Sequence, residues 1–180
     1  MKKLIAVLML LCVAVMPFAG LAEAAEEITT VNWEDVAEIA ETIEGDFYTS
    51  EELAVAFWLP AVFEEREVPA SEDESTFKIL NLFATADDAA SIAVTRSLMG
   101  DDIAAYVGIL ESEGGASNIE EVVINGLYAI SYDLEEQDAG AVFFPMDDGT
   151  ALTFVVAPVS DEGFAATAAI IMASFQLIEQ

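Results

Sequence analysis

The run Ile119–Asp133, IEEVVINGLYAISYD, admits few folds. Two stretches rich in Val, Ile and Tyr flank Asn125-Gly126, the dipeptide that suits a two-residue type I′ turn because both positions need a left-handed backbone. The spacing predicts a tight antiparallel hairpin. AGAVFFPMDDGTALTFVVAPVS repeats the design, with a turn at Asp147, Asp148 and Gly149. Successive hairpins commit this part of the chain to an antiparallel sheet, and the remaining elements must cover its faces.

Those elements can be read from periodicity. VNWEDVAEIAETIEG predicts a helix with Asn32 at its N-cap, Glu34 and Asp35 at the positive end of the dipole, and Gly45 ending it. Trp33, Val36, Ala37, Ile39, Ala40 and Ile43 form its apolar stripe, so Trp33 is expected in the core. DFYTS and LAVAFWL predict a pair of strands joined through Glu51 and Glu52. The second strand is apolar on both faces, as a strand covered on both sides must be, and Pro60 ends it. Phe57 and Trp58 should therefore be core on opposite faces, and an aromatic binding platform here requires Trp58 to be exposed. Glu64 to Thr76 predicts an acidic surface loop, followed by strands in FKILNLFAT and SIAVTRS with a turn at Asp87 and Asp88. GDDIAAYVGILESEGG predicts a helix capped by Asp101, with Ile103, Tyr106, Val107 and Leu110 on one face and Gly114-Gly115 ending it. The chain closes in a helix from about Asp161 to Phe175, capped by Ser160 or Asp161 and apolar on nearly every side, hence deeply packed.

The N-terminus sets the compartment. Lys2 and Lys3 precede LIAVLMLLCVAVM, then Pro17 and a small-residue stretch reaching Ala22 and Ala24. A basic start, a short apolar run and an Ala-x-Ala end predict a cleaved secretory signal peptide over residues 1–24. The run is shorter than the ~20 apolar residues that span a bilayer, so no stable membrane insertion is expected after cleavage. Leu10 and Leu11 before Cys12 do not suit lipid attachment. Residues 25–180 should form one secreted or extracellular α/β domain, periplasmic in a Gram-negative source. Without Cys12 the mature domain is disulfide-free and must be held by its core alone.

Charge and absent residue types exclude whole classes of function. The chain has a formal net charge of −29 and no His. After cleavage its basic residues are Arg66, Lys78 and Arg96, too few to bind nucleic acid or an anionic bilayer. An unknown protein partner or a cationic ligand is favoured instead. Without His or mature Cys there is no Ser-His-Asp triad, Cys-His pair or ordinary zinc site, and no P-loop or GxGxxG opens a helix. A carboxylate-pair hydrolase needs only two acids at a fixed separation, which an acidic chain supplies by chance; it is the least supported reading. No catalytic residue is assigned, and an enzyme is not expected. The one cofactor suggested is calcium, as the alternative to a protein partner. Asp133, Glu135, Glu136 and Asp138 of DLEEQD could offer converging oxygens from a strand-joining loop, although EF-hand spacing is absent.

The order of helix, strands, helix, hairpins and terminal helix, with FWLPAVF, INGLYAISY and IIMASF at their places in it, resembles the PsbP-like fold family, named for the photosystem II extrinsic protein PsbP. The similarity runs from about Asp46 onward; where such proteins often carry Trp shortly after the proline, this one has Phe63. The resemblance implies a mostly antiparallel sheet with helices on both faces. It also implies binding and assembly modules with no shared active site, so no functional residue is carried over.

Overall fold

A computed structural model describes residues 28–50, 53–69 and 76–178. The signal-peptide assignment, Cys12, the start at Ala25, the link through Glu51 and Glu52, and residues 70–75 of the acidic loop lie outside the described residues.

The architecture is the expected mostly antiparallel α/β fold, with strands divided between two sheets. The first described strands are β1 (Thr29–Val31), β2 (Gly45–Ser50), β3 (Val55–Pro60) and β4 (Phe63–Glu65). They are followed by β5 (Phe77–Thr85), β6 (Ser91–Leu98), β7 (Ala116–Ile124) and β8 (Leu127–Leu134). The last are β9 (Ala139–Pro145), β10 (Thr150–Ala157) and β11 (Gln176–Leu177). An eight-stranded sheet runs β1-β7-β8-β9-β10-β6-β5-β4, and a three-stranded sheet runs β11-β3-β2. Only the β1–β7 pairing is parallel among the described strands. Both hairpin turns form where the residues demand: Asn125 and Gly126 have φ of 50° and 78°, and Gly149 has 75°.

Alternation along the strands divides the core in two. Val142, Phe144, Leu152, Phe154 and Val156 face one side of the large sheet with α1 (Trp33–Ala40), α3 (Glu162–Ala173) and the small sheet. Ala141, Phe143, Ala151 and Val155 face the other, where α2 (Ile103–Ser112) lays down Ile103, Tyr106, Val107 and Leu110. Helices thus cover both faces. The small sheet is central to the first core: Phe57 is fully buried and its ring meets Phe83 and Phe154 at 5.9 and 5.0 Å. On the opposite face of the same strand Trp58 meets Trp33 at 6.5 Å, as period-2 alternation requires.

Specific contacts correct some local expectations and decide between the alternatives in another. The α2 cap is Asp102, whose carboxylate accepts from Ala105 N at 3.0 Å; Asp101 stands outside the helix. Asp161 caps α3, accepting from Phe164 N at 2.8 Å. Glu64 and Glu65 are drawn from the expected loop into β4 by pairing with β5. Helix α1 stops at Ala40, earlier than its apolar stripe suggested, and Ile39 is exposed. Gly45 does not end that helix. It opens β2, where the six-membered ring of Trp58 lies so close that a Cβ would sit 2.6 Å from Trp58 Cζ2.

Candidate functional site

The end of α1, the turn after it and the start of β2 enclose a groove of about 410 Å³, bordered by β3. Its aromatic wall comes from Trp33 at the first turn of α1, Phe47 on β2 and Trp58 on β3. Trp33 and Phe47 pack edge to face, with ring centres 5.4 Å apart and planes at 80°. Trp58 is only 5% exposed and forms the floor, whereas Phe47 is 39% exposed and forms the lip. The expectation that Trp33 is simply core needs correction: it is half-buried, with one side packed on the core and the ring lining the groove. Trp58 is buried, so it offers no exposed platform. Its contribution is the base beneath the other two rings.

The backbone beneath both tryptophans is tied by long-range hydrogen bonds. Trp33 N donates to Asn125 Oδ1 at 2.7 Å, tying the start of α1 to the β7–β8 turn. Trp58 N donates to Ser174 Oγ at 2.7 Å, and that hydroxyl donates to Ile171 O at 2.6 Å. Gly45 keeps β2 close against the Trp58 ring. The groove is therefore preorganised by the core.

Its rim is acidic. Glu41, Glu44 and Asp46 all line the groove and are exposed. Asp46 Oδ1 accepts from the Phe47 amide at 3.1 Å, which holds that carboxylate beside the lip. Helix α1 carries no basic residue in its last turn. Arg66 is engaged elsewhere by Glu64 and Asp88, and Arg96 by Asp148. A second groove of about 380 Å³ shares Glu44, Gly45, Asp46 and Phe47 and runs on past Tyr48 to Pro60 and Phe63. Strand β2 is the outer strand of its sheet, so its far edge is unpaired among the described strands.

The four acids suggested by the DLEEQD loop are not brought together as a coordination sphere. Asp133 lies one residue before the end of β8, where its Oδ2 accepts from Asn118 Nδ2 at 2.9 Å. Glu135 and Glu136 project from a single 3-10 turn, Glu135–Gln137, and are exposed. Asp138 has φ of 50° and turns its carboxylate onto the amide and hydroxyl of Ser160. Among the described residues no three His, Cys, Asp or Glu side chains are placed to hold one metal ion. Elsewhere, Asp87 and Asp148 have carboxyls held below the usual range, chiefly by hydroxyl hydrogen bonds from Thr85 and Thr150. That direction is opposite to what a general acid needs. Burial pushes the Tyr132 phenol up, keeping it neutral inside the α2-side core.

Sequence reasoning passed over Glu41, Glu44, Gly45, Asp46 and Phe47. The available signal was local: EGDF places acids and an aromatic around a glycine immediately after an amphipathic helix. What it lacked was the position of Trp58, which converts those residues into a concave wall.

No family model and no curated protein sequence matches the chain. Among solved structures it is similar to the solution structure of cyanobacterial PsbP (CyanoP) from Synechocystis, with a TM-score of 0.54 and 14% identity. The alignment covers 91% of this chain and 99% of that one. The fold is PsbP-like. At this identity the likeness concerns the fold alone. No described helix is long and apolar enough to cross a membrane.

Proposed function

We propose that this chain is a secreted, non-catalytic binding module that engages a positively charged protein partner. The observation that carries the reading is the groove at α1, β2 and β3, where partly exposed aromatic rings are bordered by the exposed carboxylates of Glu41, Glu44 and Asp46. Concave apolar sites with a few placed polar groups are where binding concentrates. Here the polar groups are all of one sign.

Two further features support the reading. A net charge of −29 steers a basic partner toward the chain and disfavours acidic ones. The PsbP-like fold, whose resemblance implies binding and assembly modules, suits such a role. Export follows from the Lys2-Lys3 start, the apolar run and the Ala22-x-Ala24 end.

The test is capture from the native extracellular fraction on immobilised residues 25–180 at physiological salt. A basic protein is expected to be retained and to elute as ionic strength rises. Retention only of neutral or acidic proteins, or of none, would overturn the proposal.

A further inference from the structure

We infer that the groove is a receptor for an arginine side chain presented by the partner; this rests on the binding-module reading above and names the group recognised. Two properties of the site select a guanidinium. It is planar and weakly hydrated, so it stacks on aromatic faces at little desolvation cost. Phe47, 39% exposed, presents ring surface at the lip, with Trp33 packed edge to face beside it and Trp58 closing the floor behind them. Its several N–H donors fork toward carboxylates, and Glu41, Glu44 and Asp46 line the same groove.

The competing occupants fit less well. A metal ion needs converging oxygens, and no such group of three forms among the described residues. A lysine ammonium carries the right charge, but it is a strongly hydrated point charge and presents no plane to stack. An apolar side chain would desolvate the rim carboxylates without pairing them, which is costly.

The chain reports on its own site, because its two tryptophans, Trp33 and Trp58, both line the groove. Tryptophan emission is followed while the full mature chain is titrated with the peptide Ac-Gly-Arg-Gly-Arg-Gly-NH2. Parallel titrations use its citrulline counterpart, which keeps the shape and loses the charge, and its lysine counterpart. A saturable change is expected with arginine, roughly tenfold weaker binding with citrulline, and intermediate binding with lysine. Phe47→Leu keeps an apolar lip but removes the ring, and is expected to weaken arginine binding about three- to tenfold. The double variant Glu41→Gln, Glu44→Gln should weaken it similarly, while Glu135→Gln, Glu136→Gln in the remote loop should leave it unchanged. Circular dichroism checks that each variant folds, and Phe47→Tyr, which restores a ring, should recover binding.

Equal binding of citrulline, or equal sensitivity to the remote and rim variants, overturns the inference. In that case binding to cationic peptides comes from diffuse charge, and the basic-partner reading stands without this site. If no cationic peptide binds and no basic protein is captured, both fall.

Discussion

Asn125 offers the sharpest test of how this fold is held, because its side chain does more than its turn requires. The residue adopts φ of 50° at the first central position of the β7–β8 turn. Its Oδ1 accepts from Trp33 N at 2.7 Å, satisfying one of the amides that a helix N-terminus leaves unpaired. Its Nδ2 donates to Ala173 O at 2.9 Å and Phe175 O at 2.7 Å, satisfying the carbonyl of the last residue of α3 and one just past its cap. One side chain thus joins a hairpin, the start of one helix and the end of another.

Asn125→Gly preserves the left-handed backbone and deletes all of these bonds. At a net ~0.5–1.5 kcal/mol for each, the expected loss is about 3 kcal/mol. For a domain of this size that corresponds to a melting temperature lower by roughly 6–12 °C. Asn125→Asp is nearly isosteric and keeps the acceptor for Trp33 N, yet it sets a carboxylate oxygen against two carbonyls. It should cost at least as much as glycine. The assay is urea unfolding followed by tryptophan emission; urea is preferred because guanidinium chloride would screen the −29 charge. If Asn125 served only turn chemistry, glycine would be nearly neutral there. A loss below about 1 kcal/mol for Asn125→Gly would refute the reasoning.

Other outcomes follow from single contacts. Phe57→Ala empties a fully buried site among Tyr48, Phe83 and Phe154 and should cost ~3–5 kcal/mol by chemical denaturation. Gly45→Ala forces a Cβ to within 2.6 Å of Trp58 and 2.7 Å of Leu59 O, an overpacking expected to cost ~1–3 kcal/mol and to shift tryptophan emission. Asp148, held below its usual range first by Thr150 and also by Arg96, stabilises the fold above the unfolded carboxyl pKa, and this contribution is lost as pH falls through the lower folded value. The stability gap between wild type and Asp148→Asn should therefore close on acidification; a gap that widens would contradict the assignment. Intact-mass measurement of the secreted protein should place its first residue at Ala25, and a mass retaining residues 1–24 would remove the export argument.

Most of the secondary structure was legible in the residues because its causes are local. Asn125-Gly126 and Asp147–Gly149 need their turns whatever surrounds them, and the resulting φ values are 50°, 78° and 75° at Asn125, Gly126 and Gly149. The two-sided apolar run of β3 announced a strand buried on both faces, and the near-uniformly apolar α3 announced a helix packed inside. Charge and missing residue types bounded the chemistry in the same way, since they need no geometry.

What the residues could not declare is which distant segments meet. The split into eight- and three-stranded sheets, the parallel docking of β1 on β7 and the pairing of β11 with β3 are choices among registers of similar local propensity, decided by the whole core at once. The groove belongs to this second class. An apolar stripe identifies Trp33 as a residue to be covered; whether its ring is wholly enclosed or left half open depends on where α1 stops and where Trp58 and Phe47 arrive. Gly45 has no side chain to carry a hydrophobic pattern, so its close approach to Trp58 exists only in three dimensions. Periodicity records the preference of each side chain for burial, while concavity is a property of how elements far apart in the chain are brought together.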